Sequence, residues 1–320
     1  MSLMEFEMIA HYFTRPSQRQ DVVQGIGDDC ALLRVPAGME LAVTIDTLVG
    51  GVHFLQDANP YAIGWKSLAV SLSDLAAMGA EPAWATLALT LPEASTSWLA
   101  AFSRGLFDLA DQYGLALVGG NTSRGPLSIT VQAHGFVPQG TALCRRGAAV
   151  GDLIYVTGTL GDAAVGLDLC LGHEPASVAP TARDYLLTRL NQPEPRVAVG
   201  LALRGIASSA IDLSDGLVAD LGHVLLASGV GATVDLARIP RSAALKGLII
   251  PWEKVVGGGD DYELCFTVPP NRQGQLEAAL HDVGCAYTPI GVIVSRNGLE
   301  WCDATGQAVV IAATGYRHFP

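Results

Sequence analysis

The stretch from Asn59 to Gly79, "NPYAIGWKSLAVSLSDLAAMG", constrains the fold more than any other part of the chain. Asn59 is placed to cap a helix, Pro60 suits its first position, and Gly79 suits its stop. Between them "IGWKSLAVSLSDLAAM" is apolar nearly all round, so the helix is predicted to be buried. Yet Ser67, Ser71 and Asp74 fall at i, i+4 and i+7 on one stripe. A buried carboxylate is costly unless it is paired or bound to metal. Lys66, the cation beside it in sequence, points elsewhere around the helix. The residues alone leave two readings of Asp74, a metal or ligand contact and a structural hydrogen bond.

Strands and helices alternate around this segment. "ELAVTID" (40–46), "ATLALTLP" (85–92) and "LSITVQAHGFV" (127–137) read as strands, the last with the two-residue period of a half-buried strand. "STSWLAAFSRGLFDLADQYG" (95–114) reads as a helix stopped at Gly114. Pro138, Gly140, Gly147 and Gly151 interrupt the pattern, which places a domain boundary within 137–152. Beyond it, strands are predicted at 153–158, 208–212, 262–268 and in "TPIGVIV" and "AVVIAA". Helices are predicted near 161–172, 181–190, 195–205, 216–229 and 272–284. With 320 residues, half of them hydrophobic, the chain can bury a core for two domains or for one large α/β domain.

Composition excludes several classes of function. A net charge of −12 repels phosphate backbones in bulk, so nucleic acid is not an expected partner. Glu5 and Glu7 stand where a secretory signal would be basic, and no apolar run approaches the roughly 18 residues of a membrane span. The six cysteines lie far apart without C-x-x-C and read as buried, reduced thiols rather than disulfide or zinc residues. The expectation is a cytoplasmic protein with no membrane association.

Acids recur at the ends of apolar segments. Asp28 and Asp29 follow Gly25 and Gly27 in "QGIGDDCALL"; Asp46 ends a strand; Asp212 ends another, with Ser214, Asp215 and Gly216 turning into a helix; Asp260 and Asp261 follow three glycines in "VVGGGDDYELCF". Ser214 or Asp215 alone would be an ordinary helix cap. Two carboxylates about 4 Å apart repel by roughly 4 kcal/mol at an effective dielectric near 20. The lysines are only Lys66, Lys246 and Lys254, so a divalent cation is the natural compensation. All-oxygen ligands select a hard cation, and Mg²⁺ usually binds through one or two carboxylates plus phosphates.

"VGGNTSRG" (118–125) is read as a loop after a strand, with backbone N–H groups placed to cradle phosphate. The Walker A pattern is absent, and "GIGDDC" lacks the third glycine of a dinucleotide fingerprint. Arg145 and Arg146 read equally as a phosphate clamp or as a solvated basic pair.

Taken in order, "GIGDDCA", "TIDTLVGGVHF", "NPYAIGWKSLAVSLSDLAAMGAEP", "GGNTSRGPLSITV", "AIDLSDGL", "GGGDDYELCFTVP" and the closing "GYRHF" resemble the thiamine-monophosphate kinase family, whose fold is the aminoimidazole ribonucleotide synthetase-like one. The resemblance covers nearly the whole chain. It implies an α/β (α+β) protein with an N-terminal mixed-sheet ATP- and Mg²⁺-binding domain, residues 1–140, and a C-terminal α/β domain, residues 141–320. It implies that the γ-phosphoryl group of ATP passes directly to thiamine monophosphate. Asp28, Thr44, Asp46, Asp74 and Asp212 match Mg²⁺ ligands, with Asp215 on a further ion; Asp46, Asp74 and Asp212 are the expected catalytic core. Gly120, Asn121, Arg145 and Ser214 match nucleotide-contacting positions. His53, Asp260, Tyr316 and Phe319 match substrate-contacting ones.

Three departures stand out. The family's Gly-Gly-Asp-Thr reads "GGNT", so Asn121 takes the place of a metal-binding carboxylate. Asp260 is one methylene shorter than the usual glutamate, and Gly50 stands where glutamate is usual. A homodimer joined through the N-terminal domains is expected, because the strands between Leu41 and Val137 have edges and an apolar face to cover. Two other readings remain open: a related ATP-dependent synthetase acting on another acceptor, and a non-catalytic nucleotide- or thiamine-phosphate-binding protein.

Overall fold

The computed structural model describes residues 5–173 and 178–317. The chain divides into two compact units, Met1–Leu75 with Ala80–Gly140, and Ala76–Gly79 with Thr141–Pro320.

The first unit opens with α1 (Glu5–Tyr12) and a small antiparallel pair, β1 (Val22–Gln24) and β2 (Leu32–Leu33), which brackets the "GIGDDC" loop. Then come β3 (Met39–Val49), α2 (Pro60–Ala77), β4 (Glu81–Leu91), α3 (Thr96–Gln112), β5 (Ala116–Arg124) and β6 (Ser128–Pro138). The sheet runs β3-β6-β4-β5, antiparallel except for the β4–β5 pair. A mixed sheet therefore forms, as the resemblance implies. Alternation along β6 buries Ile129, Val131 and Ala133 against Leu68, Leu72 and Leu75 of α2 and Leu99, Phe102 and Leu109 of α3.

Helix α2 starts where its caps predict: the Asn59 side-chain oxygen accepts from the Tyr61 N–H at 3.0 Å, and Gly79 takes a left-handed φ of +61°. It packs on α3 with almost no separation. A Cβ added to Gly64 would lie 2.0 Å from the Phe102 carbonyl oxygen, and one on Gly105 would lie 1.9 Å from that of Tyr61. Only glycine allows this approach.

The second unit contains β7 (Leu153–Thr157), α4 (Asp162–Cys170), α5 (Pro180–Asn191), α6 (Val197–Ala202), β8 (Ser209–Asp212), α7 (Leu217–Ser228), β9 (Gly231–Asp235), α8 (Trp252–Gly257), β10 (Leu264–Val268), α9 (Gln273–Leu280), β11 (Tyr287–Val294), β12 (Gly298–Cys302) and β13 (Ala308–Val309). Its seven-stranded sheet has the order β13-β12-β9-β11-β7-β10-β8. All pairs are antiparallel except β12 with β9. Ile154, Val156, Ile211, Cys265, Leu217 and Leu221 lie in its core.

Several boundaries differ from expectation. The 118–125 segment is not a loop: its residues through Arg124 lie in β5, paired in parallel with β4 through Leu87↔Gly120 and Ala88↔Asn121. A register irregularity at Ala85/Thr86 leaves Val118 as the extra residue, and Gly119 and Gly120 then pair regularly with Thr86 and Leu87. The helix expected over 272–284 begins as a 3₁₀ turn at Pro270–Arg272 and ends at Leu280, because Pro269 and Pro270 set its start. The last predicted strand is reduced to Ala308–Val309. Among the described residues no helix is long and apolar enough to cross a membrane. All six cysteines are free thiols, but only Cys265, on β10, is buried as expected; Cys30 is exposed in the β1–β2 loop and the other four are half-buried.

Candidate active site

In the first unit, the inward side chains of β3 meet one stripe of α2. Ser71 Oγ donates to Asp46 Oδ2 at 2.7 Å, and Thr44 Oγ1 donates to Asp74 Oδ2. Strand and helix thus each supply one hydroxyl and one carboxylate, crossed. Burial raises the Asp46 carboxyl to about 6, and the charge of Asp74 adds to this, while the Ser71 hydrogen bond opposes it. Ser67, on the same predicted stripe, turns back onto its own helix and donates to the Gly64 carbonyl at 2.9 Å. It is a structural serine.

Asp28 is exposed in the β1–β2 loop, where its Oδ1 accepts from the Asp29 N–H at 2.9 Å. His53 sits in the turn after β3, and its Nδ1 accepts from the Val49 N–H at 3.0 Å, so Nε2 carries the ring proton. Gly120 and Asn121 are exposed on β5, an edge strand, which leaves alternate backbone groups outside the ladder. Gly120 has no room for a side chain, since a Cβ there would lie 1.9 Å from the Leu87 carbonyl oxygen.

In the second unit, motifs far apart in sequence come together. Asp212 ends β8 and is buried, with Leu264 of β10 as its register partner. Beyond the strands the pairing continues irregularly: the Asp260 N–H donates to the Ser214 carbonyl and the Tyr262 N–H to that of Leu213, both at 2.8 Å. The tail reaches the same turn, where the Tyr316 N–H donates to the Asp215 carbonyl at 3.1 Å. Asp212, Ser214, Asp215, Asp260 and Tyr316 are therefore gathered. Phe319 lies outside the described residues.

Neither Ser214 nor Asp215 caps α7. Gly216, at φ +102°, holds the cap position and has no side chain to cap with. The sequence reading missed Asp220, buried in the first turn of α7, which accepts from the Asp215 N–H at 3.1 Å. Burial first, then the charges of Asp212 and Asp215, push it up to about 8. Its position five residues after Asp215 on an otherwise apolar helix was the available signal. Arg145 lies apart from this cluster. It is exposed, and its carbonyl accepts from Ser228 at 3.4 Å, at the far end of a helix about 18 Å long.

Asp260 has φ +60° and Tyr262 φ +49°, the non-glycine residues in the left-handed region among those described. Such a backbone costs an L-residue about 1–2 kcal/mol. The Tyr262 hydroxyl donates to Asp260 Oδ1 at 3.0 Å.

Among the described residues, no three His, Cys, Asp or Glu side chains gather as a metal cage. The donors that do meet are carboxylate and hydroxyl oxygens, with Asp46 and Asp74 close enough to perturb one another. That set suits Mg²⁺, which binds through one or two carboxylates plus phosphates rather than through an all-protein cage.

Residues 27–137 match the family model "AIR synthase related protein, N-terminal domain", and residues 149–301 match "AIR synthase related protein, C-terminal domain". The chain is 51% identical over 324 residues to the thiamine-monophosphate kinase of Escherichia coli K12, covering all of this chain and 99% of that one. The crystal structure of thiamine-monophosphate kinase from Stenotrophomonas maltophilia K279a superposes with a TM-score of 0.84 at 48% identity, over 91% of this chain and 93% of the other. AaThiL complexed with AMPPCP and TMP superposes with a TM-score of 0.78 at 33% identity, over 92% of each chain.

Proposed function

The chain belongs to the AIR synthase related family and, within it, to the thiamine-monophosphate kinases, and on that premise we propose that it transfers the γ-phosphoryl group of ATP to thiamine monophosphate, giving thiamine diphosphate and ADP. The observation that carries the reading is the crossed Thr44–Asp74 and Asp46–Ser71 pair, which sets two carboxylates side by side within two of the motifs on which the family resemblance rests. A phosphate-monoester acceptor has a second pKa near 6, so at neutral pH its attacking oxygen is already ionised and no general base is needed. That oxygen bonds to the γ-phosphorus as the bond to the β–γ bridging oxygen breaks, and ADP leaves with the electron pair. The barrier is largely the approach of one anion to another.

Asp28, Thr44, Asp46, Asp74, Asn121, Asp212 and Asp215 are the residues we assign to holding Mg²⁺, with Asp46, Asp74 and Asp212 as the core. When bound, Mg²⁺ supplies charge neutralisation for the phosphates. Gly120, Asn121, Arg145 and Ser214 are assigned to ATP. His53, Asp260, Tyr316 and Phe319 are assigned to thiamine monophosphate. Asp260 and an aromatic face suit the thiazolium cation. Residues 1–140 form the ATP- and Mg²⁺-binding domain in this reading, and residues 141–320 form the second.

The N-terminal domain is also assigned to homodimerisation. Leu41, Val43 and Ile45 project from β3 on the face opposite α2 and are 41%, 52% and 62% exposed, a stripe that a second copy would cover. Use of ATP and six free thiols support a cytoplasmic location.

Incubation with Mg²⁺-ATP and thiamine monophosphate should yield thiamine diphosphate and ADP in equal amounts. ADP without thiamine diphosphate, or no turnover, overturns the reading.

A further inference from the structure

The buried acids and guanidinium groups behind Asp260 have no part in the mechanism above. Asp261 is 2% exposed, and both its carboxylate oxygens accept from the Gly161 N–H, at 3.0 and 3.2 Å. Arg189 Nη2 donates both to the Asp261 carbonyl, at 3.2 Å, and to Glu263 Oε1, at 2.8 Å. Arg196 grips the same Glu263 carboxylate through two nitrogens, Nε at 2.6 Å and Nη2 at 2.7 Å. Residues 261 and 263 are thus held from inside the unit. Residues 260 and 262, between and before them, are held by their N–H groups on the Ser214 and Leu213 carbonyls.

This pattern surrounds the two left-handed non-glycine residues. A strained conformation persists only where its surroundings over-determine it, and such strain concentrates at functional sites. Here each left-handed residue is itself bonded through its N–H, and its neighbours at 261 and 263 are gripped by buried partners. They set the direction of one side chain, Asp260, whose carboxylate is further fixed by the Tyr262 hydroxyl.

We propose that Asp261 and Arg189 are positioning residues for the thiamine-monophosphate site, locking the left-handed backbone that presents the Asp260 carboxylate. The proposal rests on the kinase reading given above. Burial, together with the charge of Asp162, raises the Asp261 carboxyl well above the ordinary range against the pull of Arg189, so a neutral amide is a fair mimic of it. Asp261→Asn retains an oxygen for the Gly161 N–H, whereas Asp261→Ala removes it.

Steady-state kinetics on the full chain separate positioning from folding. Asp261→Ala should raise KM for thiamine monophosphate about tenfold or more, with KM for ATP within about twofold, and Asp261→Asn should restore it to near wild type. Arg189→Lys keeps a cation on the Glu263 side but ends one atom short of the Nη2 position that serves both acceptors, and should give the same split. It decides the matter if Asp261→Ala does not fold. An unchanged KM for thiamine monophosphate in the folded variants overturns the proposal. So does a parallel loss of active fraction and melting temperature with both KM values unchanged. A wild-type protein that forms no thiamine diphosphate overturns the kinase reading, and the proposal with it; an active wild type beside insensitive variants overturns the proposal alone.

Discussion

Ser71 on α2 donates a hydrogen bond to Asp46 on β3 across 2.7 Å, while Asp74, three residues further along the helix, accepts from Thr44 on the same strand. Each carboxylate keeps lone pairs beyond the one its hydroxyl partner occupies. Two acids held in this way without a cation are a liability to the fold, and their value lies in charge.

Asp46→Asn and Asp74→Asn should therefore lower the rate of thiamine diphosphate formation by at least about 100-fold, the scale on which electrostatic groups act in phosphoryl transfer. Melting temperature without Mg²⁺ should hold or rise, since each change removes half of a repelling pair. Near-wild-type turnover at limiting Mg²⁺ in both variants would show that the pair is structural.

Asn121 should make the enzyme depend on more Mg²⁺. Its amide oxygen still ligates a hard cation but brings no charge. A lost carboxylate is worth about one or two kcal/mol after desolvation, roughly tenfold in ion affinity. Asn121→Asp should move the Mg²⁺ midpoint of the rate to lower concentration, with thiamine monophosphate affinity little changed. A midpoint that stays or moves upward would mean that the added acid repels ATP instead.

Glu263, fully buried, should link stability to pH. Burial alone would raise its carboxyl, but the hydrogen bond and charge of Arg196, then Arg189 and Thr157, hold it below the ordinary 4.5. A depressed folded-state value means that the stabilisation is complete above 4.5 and is lost as pH falls below it. Glu263→Gln leaves two guanidinium groups short of a charge and should cost about 3–5 kcal/mol in urea unfolding at pH 7. Asp261 acts in the opposite sense, so the diagnostic is the difference between variant and wild type, which should shrink between pH 5 and about pH 3. A constant difference would refute the linkage.

The exposed stripe on β3 should carry the dimer contact. Ile45→Glu should yield a monomer mass by light scattering at micromolar concentration where the wild type gives a dimer, with the unfolding transition of the subunit retained. A wild-type monomer would remove the premise, and a dimeric variant would move the interface elsewhere.

Much of this site was legible in sequence because its signals are local. Asn59, Pro60 and Gly79 announce α2, and the alternation of β3 is visible, although Asp46 does not end that strand as expected: pairing with β6 carries it on to Val49. The errors came where tertiary pairing decides. Ser67 shares a helical stripe with Ser71 and Asp74, yet its hydroxyl finds the Gly64 carbonyl one turn back. Gly119 and Gly120 read as a loop, but the edge of β4 draws them into a strand. The grip on Asp261 joins Gly161, Arg189 and residue 261 across about a hundred positions, and no periodicity within one segment carries such information.

The contact of Gly64 and Gly105 with opposing carbonyl oxygens bears on how a mutational screen of this enzyme should be interpreted. A methyl group at either position must be absorbed by spreading α2 from α3, and α2 is the element that delivers Ser71 and Asp74 to β3. Variants there should score as inactive alongside the carboxylate variants in any selection that reads only growth without supplied thiamine diphosphate. Such hits would report helix spacing rather than chemistry, and their phenotype should soften on cooling. Second-site suppressors of Gly105→Ala, mapped to α2, would trace that mechanical link genetically.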